Sequence, residues 1–131
     1  MKYTLLILAI FFFSPVFAQD KSDAVVGKWL RVPKEDMIIE VFKAGNEYKG
    51  RIAWAKDNDK KKPVGFIILE DLNFNSKKNM WTNGKIQDPN SGKTYDAEAK
   101  IKSDGNLEVL GYMGLKFIGS KKEFKRVKWE I

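Results

Sequence analysis

The chain has 131 residues, a formal net charge of +7, no cysteine and no histidine. The two absences exclude disulfide staples, Ser-His-Asp and Cys-His catalysis, an imidazole general base, and any His/Cys zinc or copper site. Asp, Glu, Lys, Tyr and Ser remain for catalysis, and no loop pattern here supports hard-cation binding by carboxylates.

The first eighteen residues read as an export signal. Lys2 gives the positive start, Leu5 to Phe13 is an apolar run, and Val16 and Ala18 are small residues at the −3 and −1 positions of a cleavage site. A spanning helix needs about 20 apolar residues, and Ser14-Pro15 interrupts this run well short of that. The segment is therefore expected to be a leader, residues 1–18, not an anchor, and there is no cysteine to acylate as in a lipoprotein. Removing 18 residues from 131 leaves 113, Gln19 to Ile131, expected to be a single β-barrel domain in the periplasm or outside the cell. Loss of Lys2 brings the charge to +6. That basic balance reads as a solvated surface, and export argues against a nucleic-acid partner.

From Gln19 onward strand signals dominate, and no long stretch has a helical period. "VVGKWLRV" is the first expected strand and "MIIEVFKA" the second, with Gly45-Asn46 turning the chain. "YKGRIAWAK" is the third, with Ile52 and Trp54 expected on one face and Arg51, Ala53 and Ala55 on the other. A polar loop from Asp57 to Pro63 leads to a more continuously apolar fourth strand, "VGFIILEDL", and then to a fifth, "NMWTNGKIQ".

Next comes "DPNSGKTY", whose Gly92-Lys93-Thr94 imitates the end of a phosphate-binding loop. That loop needs glycine five residues before Gly92, where Gln87 stands. Pro89 lacks the N–H that would meet a phosphate, Asp88 would repel one, and a strand follows instead of a helix. Asp88, Pro89 and Gly92 are instead residues of a structural turn joining strands five and six.

The sixth strand, "TYDAEAKIK", has the clearest period of two. Tyr95, Ala97, Ala99 and Ile101 share one face, and Asp96, Glu98, Lys100 and Lys102 the other. Asp104-Gly105 signals a hairpin, "LEVLGYMG" is the seventh strand, and "KFIGSKKEFKRVKWE" supplies the eighth. Eight short strands in hairpin succession make a meander, which removes its edges by closing on itself. The expected fold is all-β: one antiparallel up-and-down barrel of about eight strands.

A barrel of this number is either filled by side chains or holds one small ligand. If hollow, the small inward residues Ala97 and Ala99 leave space, lined also by Trp54, Phe66, Ile68, Tyr95 and Tyr112. Such walls suit a small hydrophobic or lipid-like molecule. If filled, the alternative is an envelope interaction module. Its basic segment Lys121 to Lys128 would meet anionic lipid or an acidic partner, or simply guard an edge strand. Catalysis has thin support: Glu70 and Asp71 are adjacent in a strand, point to opposite faces, and cannot act as one dyad. No enzyme activity, cofactor or metal is expected, and oligomeric state is not legible.

"GKIQDPNSGKTY", followed by "GYMGLKFIG" and a terminal "KRV", resembles the bacterial family named as domain of unknown function 2147. The resemblance extends over the chain after the leader: Gly27 and Trp29, Gly50 and Ile52, Gly65, then Trp81, Gly84, Asp88, Pro89, Gly92 and Tyr95, then Gly111, Tyr112, Gly114, Gly119 and Arg126. Leu110 and Ser120 stand where the family usually has arginine, and Phe124 where it often has tryptophan. The loop after the third strand is also shorter than usual. A Gly-x-Trp start with arginine in the last strand is in turn similar to lipocalins and other calycin-type barrels. That likeness implies a structural closure in which Gly27, Trp29 and Arg126 seal one end, with the guanidinium over the indole.

Overall fold

Most of the eight strands carry one largely apolar face, and pairing them in a ring buries those faces together while leaving no strand unpaired; β8 contributes only Phe124 to the core. The computed structural model describes residues 21–115 and 119–128, so the expected leader and, of the eighth expected strand, Lys116 to Ile118, Trp129 and Glu130 lie outside the described residues. The strands are β1 Gly27–Val32, β2 Met37–Ala44, β3 Glu47–Ala55, β4 Ile67–Asn75, β5 Met80–Gln87, β6 Thr94–Ile101, β7 Leu107–Tyr112 and β8 Ser120–Val127. Each pairs antiparallel with the next, and β8 returns to β1, closing the barrel. Short 3₁₀ turns cover Lys21–Val25 and Lys56–Asn58.

Several expected boundaries move: β4 runs on to Asn75 and β7 stops at Tyr112, and two strand starts shift for reasons visible in the hydrogen bonds. Val25 and Val26 precede β1, because Lys21–Val25 folds across the barrel end as a 3₁₀ turn. Val64 to Phe66 precede β4, because the Gly65 N–H reaches back to the Ile52 carbonyl and the Phe66 N–H to that of Pro63.

The meander sorts its connections. The short turns after β2, β4 and β6 share one end of the barrel; the four-residue connection after β1 and the longer loops after β3, β5 and β7 share the other. The interior at the short-turn end is solid. Trp29, Tyr48, Leu72, Trp81 and Leu107 are all buried there, and the Phe74 and Trp81 rings pack at 5.2 Å. A row of small residues makes room for them. Gly84, Ala97 and Gly111 face one another across β5, β6 and β7, and Ala99 lies opposite Trp81. A Cβ built on Gly84 would stand 2.5 Å from Leu72 Cδ2, so only glycine lets that leucine lie flat on the wall.

A bulge corrects the expected facing of the third strand. Ile39 pairs with Ile52, but the next residue, Ile38, pairs with Trp54. The extra residue is Ala53, and it reverses the alternation. Ile52 is fully buried in the core, whereas Trp54 joins Leu30 and Ile38 in a row on the outer face of the sheet, where Ile38 is covered and Leu30 and Trp54 are half-buried.

Candidate functional site

The short-turn end is sealed by the segment before β1. Trp29 Nε1 donates to the Val25 carbonyl at 2.9 Å, and Trp81 Nε1 to that of Ser22 at 3.0 Å. The Tyr48 hydroxyl donates to Asp23, and burial followed by this carboxylate raises the phenol pKa. Arg126 Nη1 donates to the Val26 carbonyl at 3.0 Å and Nη2 to that of Ala24, while its guanidinium lies 4.2 Å from the centre of the Trp29 ring. Desolvation in this stack lowers the Arg126 pKa. Gly27, at φ +142, leaves room for the guanidinium, since a Cβ there would sit 2.7 Å from Nη1. Gly27, Trp29 and Arg126 thus meet in one closure.

At the loop end the barrel is hollow. A cavity of about 740 Å³ has apolar walls from Met37, Ile52, Ile68, Ile86 and Val109. A smaller apolar recess of about 120 Å³ involves several of the same walls together with Ile39, Leu69 and Phe124. Around the chamber stand Arg31, Lys61, Lys62, Gln87, Asp88, Asn90, Tyr95, Tyr112, Ser120 and Lys122.

Of the residues expected to line a cavity, Ile68, Tyr95 and Tyr112 border it. Trp54 is on the outer surface for the reason given, and Phe66 packs against the core beside β4. Ala97 and Ala99 do face inward, at 0% and 1% exposure, but in the solid half. Ala99 lies opposite Trp81, and Ala97 lies between Gly84, which Leu72 covers, and Gly111, which borders the cavity. The turn residues Asp88 and Pro89 hold a second position, at the rim of the cavity. Asp88 accepts the Asn90 backbone N–H at 2.8 Å, and this bond holds its carboxyl below the usual range. Gly92 takes φ +74 and donates to the Asp88 carbonyl, completing the turn.

Sequence reading missed Arg31, Met37, Ile86, Val109 and Lys122. A signal for Lys122 exists: it is two residues before Phe124 and four before Arg126, so all three share a strand face. Glu70, weighed for catalysis, pairs with Lys85 and lies 3.8 Å from Lys49 outside the cavity. Among the described residues there is no cluster of three or more candidate metal ligands, and no helix long and apolar enough to cross a membrane.

A closed eight-stranded meander, corked at one end by its own leading segment and hollow at the other, is the lipocalin type of barrel. In agreement, the fold is similar to that of a solved structure, protein HP1028 from Helicobacter pylori, described as belonging to the lipocalin family. That match has a TM-score of 0.64 and 20% identity, over 79% of this chain and 83% of the other. The chain itself belongs to the bacterial family described as "Uncharacterized protein conserved in bacteria (DUF2147)", which matches residues 27–126. A search of curated proteins finds no match.

Proposed function

We propose that this protein binds a small hydrophobic or lipid-like molecule in the loop-end cavity, without catalysis, in the periplasm or outside the cell. The observation that carries the reading is the cavity: about 740 Å³ with apolar walls, inside a barrel whose other end is packed solid. Its size falls within the roughly 300–1,000 Å³ range of ligand pockets. The closure at the far end supports the same reading, because it fixes the barrel without drawing on the cavity residues. Export rests on the expected leader, and N-terminal sequencing of protein from the cell envelope should begin at Gln19.

Native mass spectrometry of protein prepared without detergent is the direct test. A discrete added mass, lost on gentle activation, is the expected result. A bare mass that stays bare after incubation with a lipid extract would overturn the binding reading and favour an envelope interaction module.

A further inference from the structure

β8 begins at the cavity and carries Ser120, Lys122 and Phe124 in phase. Ser120 borders the chamber and Phe124 is buried in the core, so Lys122 between them, opposite Val109 of β7, lines the chamber from the same strand face as an exposed side chain. On the adjoining β1, Arg31 pairs with Phe124 and shares that face. Arg31 and Lys122 are thus diagonal neighbours on adjacent strands, a spacing of about 7–8 Å that long side chains readily bridge. The wall formed by Ile52, Ile68 and Ile86, on β3, β4 and β5, is apolar.

The charges in this chamber do not balance. Its lining has four cations, Arg31, Lys61, Lys62 and Lys122, and one carboxylate, Asp88. Asp36 lies 4.0 Å from Arg31 Nε and 3.5 Å from Lys62 Nζ, and Asp59 lies 2.8 Å from Lys62 Nζ. Lys122 has no ion-pair or hydrogen-bond partner among the described residues. Lys122 is exposed at the chamber and keeps its water, so a neutral apolar ligand gains nothing from its ammonium. A ligand carrying an anion supplies the missing counter-charge.

Resting on the reading of the cavity as a binding site, we infer that it takes an anionic amphiphile, whose carboxylate or phosphate head is held by Lys122 and Arg31 and whose chain lies along Ile52, Ile68 and Ile86. The test compares three ligands with one tail, dodecanoate, dodecyl phosphate and dodecanol, by displacement of a neutral fluorescent probe from delipidated protein. The anions should bind about ten- to a hundredfold tighter than the alcohol, and the tighter of the two identifies the head. Lys122→Met should collapse that ratio. Lys121→Met, the same charge change on the outer face opposite Leu110, should preserve it. Lys122→Gln repeats the measurement if the methionine variant fails to fold. Equal affinity for dodecanol, or equal loss in the Lys121 and Lys122 variants, overturns the head-group assignment while leaving the binding reading intact. If the probe binds and none of the three ligands displaces it, the head-group assignment falls alone; if the probe itself does not bind, the binding reading falls with it.

Discussion

Replacing Trp29 by alanine removes the largest fully buried side chain at the sealed end of the barrel. Truncating a buried aromatic costs about 3–5 kcal/mol through lost transfer energy and the cavity left behind. The substitution also orphans the Val25 carbonyl, which accepts the indole N–H at 2.9 Å, and removes the ring beneath Arg126. These losses overlap with the truncation, so about 4 kcal/mol is the working figure. With a urea m-value of about 2 kcal/mol/M for a domain of this size, the midpoint should fall by about 2 M. Trp29→Phe keeps a ring for Arg126 and loses mainly the hydrogen bond and some volume, so its midpoint should fall by about half as much or less. Equilibrium unfolding followed by far-ultraviolet circular dichroism gives both values. A Trp29→Ala midpoint within about 0.5 M of the parent, at unchanged m, would refute the account of the closure.

Gly84→Ala should cost about 1–3 kcal/mol in the same experiment, because the new methyl meets Leu72 at 2.5 Å and the Glu70 carbonyl at 3.1 Å; an unchanged midpoint would mean that the wall yields freely. Trp54→Ala should leave probe affinity within about twofold, because the bulge puts that ring outside the barrel, whereas a large loss would place it in the site. Stability should be level from about pH 5 to 9 and fall as the medium is acidified below about pH 4. Asp59, Asp88 and Glu123 are each held below their ordinary pKa, by Lys62, the Asn90 N–H and Lys102 respectively. Their contribution is present above the unfolded-state values and disappears as pH drops through the folded ones. Glu123→Gln should therefore flatten part of the acid limb in midpoints measured against pH, and an unaltered limb would remove Glu123 from that account.

The strand count and meander order were legible because turn chemistry and period-two alternation are local properties. Asp88, Pro89 and Gly92 announce their turn without reference to the rest of the molecule. Which half of the barrel would be hollow was not legible, since it depends on what lies across the interior. Ala97 and Ala99 read as vacant space, yet both are fully buried, with Trp81 opposite Ala99 and Leu72 packed over Gly84 beside Ala97. Trp54 was misread because strict alternation assumes an unbroken ladder, and the bulge at Ala53 leaves no clear trace in composition. Lys122 was in phase with Phe124 all along, but a lysine-rich segment reads first as solvated surface.

The corked end also bears on how the chain must fold. Arg126 reaches the carbonyls of Ala24 and Val26 across about one hundred residues, and β1 pairs with β8 over the same span. Contacts so distant along the chain are slow to form, because most of the loop entropy is lost before they stabilise anything. A chain that emerges amino end first, whether from a ribosome or through a membrane pore, has its cork segment and β1 waiting for a latch that arrives last. Until β8 appears, β1 presents an open edge to any neighbouring chain. Premature termination just before β8 should therefore yield aggregation-prone fragments instead of a slightly shortened barrel.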